Sequence, residues 1–238
     1  MKLFALSDIH GRTIGLEEFE ALGFDGDNPD HHIVILGDYF DRHEDNHGIY
    51  LEMVSLRNKF KNRVHLLEGN HDGFMKEFIE GTLKLNTLGQ PLKLEPILQE
   101  RWLRNGGAIT MKQCFLIDDF NGLYNKDIEK RLLEYKSFMD SLQGYVELGN
   151  YIFTHAGVDK NYHHDYWTRS YIHEANPFSN KTVILGHTPF KYCLEHEDLK
   201  LINAPSGIGQ MIMNAKLQQN IFIIDNGLGN NIVLFETH

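Results

Sequence analysis

Short apolar runs recur along the chain, and each of them ends abruptly in polar residues. The runs are Leu3–Leu6, Ile33–Leu36, Val64–Leu67, Tyr151–Phe153, Val183–Leu185 and Ile221–Ile224. Their length and their lack of alternating polar positions predict β-strands that are covered on both faces. A further apolar segment at Ile232–Phe235 predicts a closing strand.

Helical periodicity separates the first three runs. Leu16, Phe19 and Leu22 precede Gly23, which is a plausible helix stop. The segment from Ile49 to Phe60 repeats apolar residues on one helical face. Strands that alternate with helices predict an α/β fold, with a layered β-sheet core flanked by helices. Ligands of such sheets gather at the carboxyl ends of the strands, where this chain places its polar residues.

The alternation of predicted strands and helices is interrupted between about residues 73 and 150. A helix is predicted from Asp127 to Leu142, with apolar residues along one side. We interpret the segment 73–150 as a helical insertion over one edge of the site. No linker-like or low-complexity stretch is present in the sequence, so residues 1–238 are predicted to form a single domain.

Composition narrows the class of protein. Hydrophobic residues make up 42% and charged residues 24% of the chain, which is typical of a globular protein. The formal net charge of −10 disfavours binding to duplex nucleic acid. No apolar run is long enough to span a membrane, and the opening run is too short for a signal-peptide core. With only two cysteines, we expect a cytoplasmic protein without an obligate partner.

The polar residues after the strands include many potential metal ligands. The candidate ligands are Asp8, His10, Asp38, Asn70, His155 and His187. Imidazole and oxygen donors together suit manganese, iron or zinc better than calcium, and the absence of thiolates disfavours a structural zinc site. Two divalent ions against two carboxylates would leave positive charge for a phosphate dianion.

Five blocks of this sequence together resemble the calcineurin-like metallophosphoesterases. The blocks are Ser7-Asp8-Ile9-His10-Gly11, Gly37-Asp38-Tyr39-Phe40-Asp41-Arg42, Gly69-Asn70-His71-Asp72, His155-Ala156-Gly157 and Gly186-His187-Thr188. They follow one another in the family's order and are most similar to bacterial serine/threonine phosphoprotein phosphatases and symmetrical diadenosine tetraphosphatases. The segments Asn105-Gly106-Gly107 and Trp167-Thr168-Arg169 resemble secondary blocks of the bacterial branch. The resemblance implies a metallophosphoesterase β-sandwich.

The resemblance also implies a role for each candidate residue. Asp8, His10 and His187 would bind a first metal ion, Asn70 and His155 a second, and Asp38 would bridge them. His71 would be the general acid, and Asp41 would orient its ring. Arg42 and Asn70 would bind substrate phosphate, with Arg169 as a further candidate for that contact. The implied cofactors are two divalent ions, with Mn²⁺ preferred and iron or zinc as alternatives.

The resemblance implies a phosphoester hydrolase with one of two substrate classes. A protein without activity is the third hypothesis. The leading hypothesis is a serine/threonine protein phosphatase, in which a metal-bridging hydroxide attacks the phosphomonoester in line. The alternative is hydrolysis of a dinucleoside polyphosphate or another small phosphoester, because Glu68 and Asp72 stand where the family usually has Arg and Glu. A metal-binding scaffold without activity is disfavoured, because a scaffold needs no proton donor such as His71.

Overall fold

The strands and helices of the chain were located in a computed structural model. The structure describes residues 1–87, 96–118, 125–170, 174, 176–217 and 220–237. The strands of this part are β1 (Lys2–Leu6), β2 (His31–Ile35), β3 (Val64–Leu66), β4 (Tyr145–Leu148), β5 (Tyr151–Thr154), β6 (Gly157–Val158), β7 (His164–Asp165), β8 (Thr182–Leu185), β9 (Leu199–Asn203), β10 (Gln210–Asn214), β11 (Ile221–Ile223) and β12 (Val233–Glu236). The helices are α1 (Leu16–Ala21), α2 (Asn46–Phe60), α3 (Asn70–Thr87), α4 (Pro96–Arg104), α5 (Gly107–Phe115), α6 (Lys126–Met139) and α7 (Phe190–Cys193).

Two larger sheets form the core of the protein. The first has the strand order β12-β1-β2-β3, in which β1, β2 and β3 are parallel. The second has the order β4-β5-β8-β11-β10-β9, in which β5, β8 and β11 are parallel. Leu6 pairs with Ile35 and Ile35 with Leu66, so the first three strands end level with one another. The loops that follow these strands therefore emerge side by side.

The two sheets pack face to face, which confirms the predicted layered α/β sandwich. Leu3, Ala5 and Val34 of the first sheet form one buried cluster with Phe153 and Ile184 of the second. Phe4, which points the other way along β1, belongs to the cluster beneath the helices. Both faces of the first sheet are thus covered. This coverage explains why its strands are continuously apolar.

The helical segment between the two sheets ends earlier than the sequence predicts. Helices α3 to α6 span Asn70 to Met139, with residues 88–95 and 119–124 outside the described residues. The predicted helix Asp127–Leu142 stops at Met139, because Gln143 returns to the sheet edge and its main-chain N–H donates to Leu66. Residues 145–148 then form β4, which pairs with β5. The end of the interval 73–150 is therefore strand rather than helix.

No helix in the described part of the chain is both long and apolar enough to cross a membrane.

Candidate metal centre and active site

The polar loops after the parallel strands come together at one edge of the sandwich. Asp8 and His10 follow β1, Asp38 follows β2, and Asn70 begins α3 after β3. The main-chain N–H of Asp8 donates to Gly37, and that of His10 donates to Asp38. These backbone hydrogen bonds join the first two loops. The backbone alone therefore holds the side chains of Asp8, His10 and Asp38 close together.

Left-handed backbone conformation is concentrated in these loops. Nine residues other than glycine have positive φ in the described part of the chain, and most of them are candidate site residues. Those at the site are Asp8, His10, Asp38, Asp41, Arg42 and His187. Each such conformation costs about 1–2 kcal/mol for an L-residue. Strain of this kind persists where the surroundings enforce it, and it typically marks functional sites.

Two glycines allow the loops after β2 and β3 to touch. Gly37 has φ of +91°, and a Cβ there would meet the Cα of Gly69 at 2.7 Å. A Cβ on Gly69 would in turn overlap the Asp38 carboxylate. Glycine at both positions is therefore a steric requirement for placing Asp38 beside Asn70.

Asp72 is a buried residue that fastens the same two loops. Its carboxylate accepts hydrogen bonds from the main-chain N–H groups of Asp38 at 2.8 Å, Tyr39 at 3.2 Å and Gly69 at 2.8 Å. Burial raises the pKa of Asp72 well above its usual range, and the charge of Asp38 adds to the rise. The sequence pattern gives Asp72 no role by itself. Its position directly after Asn70-His71 is the feature that could have indicated a place in the site.

Asp38 lies between two groups of potential metal ligands. One group is His10, Asp38 and His71, and the other is Asp38, His155 and His187. The ligand atoms of each group lie within 4.8 Å of one another. Asp38 Oδ2 is 3.6 Å from His10 Nε2, whereas Oδ1 is 3.5 Å from His155 Nε2. The two oxygens of one carboxylate thus face different groups of potential ligands.

Backbone carbonyls fix the orientation of two of the imidazoles. The Nδ1 atom of His10 is 2.8 Å from the carbonyl of Phe40, and that of His155 is 2.7 Å from the carbonyl of Leu36. A nitrogen facing a carbonyl oxygen must carry the proton, so in the neutral form of each ring Nε2 presents its lone pair to the cluster. Metal-binding histidines are commonly held in this way.

His187 lies with His155 and not with His10, which corrects the expected grouping of ligands. Its Nδ1 atom is 2.8 Å from Asn70 Oδ1, and His155 Nε2 is 3.0 Å from the same oxygen. His187 Nε2 is buried and has no hydrogen-bond partner among the described residues. In the neutral form of His155, its Nε2 lone pair faces a lone pair of Asn70 Oδ1, and the unpartnered His187 Nε2 lies beside them. A cation bound among these three atoms would satisfy all of them.

Asp8 lies outside both ligand groups but packs against the second one. Its carboxylate is buried and accepts hydrogen bonds from the main-chain N–H of His187, at 2.9 Å, and from the Ser7 hydroxyl. Burial raises the pKa of Asp8, and the nearby charge of Asp38 contributes to the rise. Asp8 therefore connects the loop after β1 to the loop after β8.

The protonation states of the cluster favour metal binding. Burial raises the pKa of Asp38, but the nearby imidazoles of His155 and His71, with the main-chain N–H of His71 that donates to Oδ1, outweigh it and lower that pKa below its usual range. Burial lowers the pKa of both His10 and His187 to about 3. At neutral pH, Asp38 is therefore a carboxylate and these imidazoles are neutral, which are the forms that bind metals.

His71 and Asp41 form a buried dyad beside the ligand groups. His71 Nδ1 is 2.6 Å from Asp41 Oδ2. Burial by itself lowers the pKa of His71, but the charge of Asp38 and the hydrogen bond with Asp41 outweigh it and raise that pKa. His71 Nε2 is 3.0 Å from the guanidinium of Arg42. The guanidinium can only donate, so Nε2 accepts from Arg42 in this arrangement, while Asp41 orients the ring through Nδ1.

Two residues of the helical segment hold the Asp41 carboxylate in place. Trp102 Nε1 donates to both of its oxygens, at 3.1 and 3.0 Å, and Thr110 Oγ1 donates to Oδ1 at 2.5 Å. Asp41, Trp102 and Thr110 are all fully buried. The sequence analysis gave neither Trp102 nor Thr110 a role, because nothing in the local pattern joins residue 41 to residues 102 and 110.

The two candidate phosphate-binding arginines lie at the exposed rim of the site. The main-chain N–H of Arg42 donates to Gly106, whose φ of +100° lets the two backbones approach. This contact explains the glycine of the Asn105-Gly106-Gly107 block. Arg169 is also exposed, and its charge contributes, after burial, to the low pKa of His187. The Arg42 guanidinium reaches the first ligand group through its contact with His71 Nε2.

Comparisons with known proteins agree with the resemblance seen in the sequence. A sequence model of the calcineurin-like phosphoesterases matches residues 1–206, a span that includes all the candidate site residues. Among solved structures, a metallophosphoesterase from Sphaerobacter thermophilus is 16% identical, with 99% of this chain and 84% of that chain covered and a TM-score of 0.49. A putative diadenosine tetraphosphatase is 14% identical, with coverages of 94% and 83% and a TM-score of 0.47. A protein serine/threonine phosphatase from Saccharomyces cerevisiae is 13% identical, with coverages of 100% and 80% and a TM-score of 0.44.

Proposed function

The chain belongs to the calcineurin-like phosphoesterase family, and we propose that it removes phosphate from phosphoserine and phosphothreonine side chains of proteins. Membership of the family makes the chain a metal-dependent phosphoester hydrolase. The nature of the substrate is the part that we propose. It rests on how the residues around the ligand groups would treat a leaving group.

The buried ligand groups would hold two divalent metal ions. We place one ion between Asp38 and His10 together with Asp8, and the other between Asp38, Asn70, His155 and His187. Mn²⁺ is the proposed ion, with iron or zinc as alternatives, because mixed imidazole and oxygen donors suit all three. When bound, such ions neutralise phosphate charge and lower the pKa of water towards neutrality.

The residues of the chain supply phosphate binding and proton transfer. The Arg42 guanidinium lies 3.0 Å from His71 Nε2 at the edge of the ligand groups. A phosphate bound there would replace Nε2 as the acceptor of the Arg42 hydrogen bond and would leave Nε2 free to carry a proton. His71 would donate a proton from Nε2 to the oxygen that leaves. Asp41 would hold the ring through Nδ1 and stabilise its charged form. Arg169 would bind the phosphate from the other side of the rim.

The single observation that carries the substrate proposal is the His71–Asp41 dyad. An alkoxide of serine or threonine is a poor leaving group and needs a proton in the transition state. A nucleotide leaving from a polyphosphate is already a stable anion and needs the proton much less. A buried carboxylate that is held by Trp102 and Thr110 and positions the imidazole supports hydrolysis of an alkyl phosphomonoester.

A dinucleoside polyphosphate is the second candidate substrate. The indole of Trp167 is 46% exposed, and its ring centroid lies 6.2 Å from that of His187. An exposed aromatic ring next to a phosphate site can stack against a nucleobase. The nucleotide would be the preferred substrate if stacking on Trp167 raised kcat/KM more than proton donation by His71 does.

A comparison of substrates tests the proposal. The Mn²⁺-loaded protein is assayed by kcat/KM on a phosphoserine peptide, on diadenosine tetraphosphate and on phenyl phosphate. We expect the phosphoserine peptide to be the preferred substrate over diadenosine tetraphosphate. The reverse order would replace the protein phosphatase proposal with the nucleotide hydrolase. Absence of turnover on all three, with metal bound, would contradict both.

A further inference from the structure

A third arginine approaches the site from the helical segment. Arg101 lies on α4, and its Cζ atom is 5.4 Å from the ring centroid of Phe74 and 5.4 Å from that of Trp167. The two rings contact each other edge to face, with centroids 5.1 Å apart. Cation–π contacts with two rings hold the guanidinium more firmly than a free surface side chain would be held. Arg101 is therefore a positioned charge.

The same two rings connect Arg101 to the reacting centre. The ring centroid of Phe74 is 6.0 Å from that of His71, and the centroid of Trp167 is 6.2 Å from that of His187. One aromatic ring thus separates Arg101 from the proposed general acid, and another separates it from a proposed metal ligand. A group bound by Arg101 would lie next to the phosphate but not at the reacting atoms.

The guanidinium of Arg101 is available to bind an anion. The side chain is exposed, and within the described ranges no carboxylate forms an ion pair with it. Arg104, one turn later on the same helix, is paired with Glu100. The N–H groups of a guanidinium form a planar fork that matches a carboxylate in a bidentate arrangement.

We propose that Arg101 binds an acidic side chain of the phosphoprotein, close in sequence to the phosphorylated residue; this inference rests on the proposed function. An extended peptide advances about 3.3–3.6 Å per residue, so a Glu or Asp one or two positions away can reach the rim from the phosphate site. The chain carries a net charge of −10, which repels acidic substrates at long range. A positioned cation beside the site provides the local attraction that acidic peptides need.

The test compares matched phosphoserine peptides that carry either Glu or Gln at the positions flanking the phosphoserine. For the Mn²⁺-loaded protein we expect kcat/KM to be roughly 2- to 5-fold higher for the Glu peptide, which is the upper part of the range for an exposed ion pair. Arg101→Gln should bring the ratio of the two values close to one. Arg104→Gln is the control, and it should leave the ratio and the activity unchanged. Added salt should lower the preference of the unaltered protein.

The outcomes separate this inference from the proposed function. If the unaltered protein hydrolyses neither peptide, the proposed function fails. If it hydrolyses both equally well, only the role of Arg101 is wrong. If Arg101→Gln leaves the preference intact, another group recognises the acidic residue. If Arg101→Gln slows only diadenosine tetraphosphate hydrolysis, Arg101 binds a nucleotide phosphate and the acidic peptide is excluded.

Discussion

The loops at the strand ends and the helical segment α3–α6 contribute to the site in different ways. The loops carry Asp38 and the other proposed ligands, held in left-handed backbone conformations by hydrogen bonds between neighbouring loops. Helices α4, α5 and α6 contribute no proposed ligand among their described residues. They hold Asp41 through Trp102 and Thr110, and they place Arg101 at the rim. The proposed ligands and the proposed acid thus lie in the strand-end loops and the first turn of α3, and the helices that follow hold them in place.

The largest effect is expected from the strand-end residue that both ligand groups share. Asp38→Asn removes negative charge from two proposed coordination spheres at once. We expect loss of metal at both sites and a fall in kcat greater than the ~10²–10⁴-fold that a general acid contributes. Metal content is measured on the purified variant by mass spectrometry and is compared with its activity.

Asp8→Asn is the matched control for that experiment. Asp8 is proposed to contact one ion only, whereas Asp38 belongs to both ligand groups, so Asp8→Asn should retain more metal than Asp38→Asn does. Equal occupancy of both sites in Asp38→Asn and in the unaltered protein would exclude the bridging role.

The next effect tests whether the dyad acts in proton transfer. His71→Asn should retain both metal ions and lose roughly 10²–10⁴-fold in kcat on phosphoserine peptides. The loss should be much smaller on nitrophenyl phosphate, because nitrophenolate leaves without a proton. The measurement is kcat over a series of leaving groups, under conditions in which the chemical step limits the rate.

Two results would change the role of His71. An equal loss for all leaving groups, with metals retained, would make it an electrostatic contact of the transition state. Loss of a metal ion would make it a ligand, in agreement with its proximity to His10 and Asp38.

A smaller effect is expected from the helical residues that hold the dyad. Thr110→Val removes the hydroxyl that donates to Asp41 and keeps the shape of the side chain. We expect kcat on phosphoserine peptides to fall roughly 10- to 100-fold, as for other supporting hydrogen bonds. Thr82→Val, a buried threonine of α3, is the control and should keep its activity. An unchanged leaving-group dependence in Thr110→Val would show that Thr110 supports the fold and not the dyad.

The smallest effect on activity is expected from a residue that stabilises helix α6 and does not contact the site. The side chain of Asn125 caps α6 by accepting hydrogen bonds from the main-chain N–H groups of Asp127 and Ile128. Asn125→Ala should lower the free energy of unfolding by about 1 kcal/mol. kcat should stay unchanged. Urea denaturation checks the stability, and Asn125→Asp, which keeps the acceptor, should restore it.

The sequence predicts the strand-end part of the site better than the helical part. Strand ends that are level in a parallel sheet bring Asp8, Asp38 and Asn70 together whatever the details of packing. The support of Asp41 by Trp102 and Thr110 depends on tertiary packing between distant segments, which periodicity does not encode. The grouping of His187 with His155 depends in the same way on the register between β5 and β8.

Two of the strands that escaped prediction have a related explanation. β9 is an exposed edge strand with mostly polar or exposed positions, so it lacks the apolar run that identified the others. β4 is partly exposed along its length and lies where a helical insertion was expected. Both strands acquire their structure from pairing with a neighbour, and such pairing leaves little signal in the local sequence.

A titration with metal tests most directly whether the strand-end residues form a two-metal hydrolytic site. Metal-free protein is titrated with Mn²⁺, and bound ions per chain and hydrolysis of a phosphoserine peptide are measured on the same samples. We expect no turnover without metal and full turnover when about two ions are bound per chain. Full turnover in the metal-free protein, or a plateau of activity with a single bound ion, would contradict it.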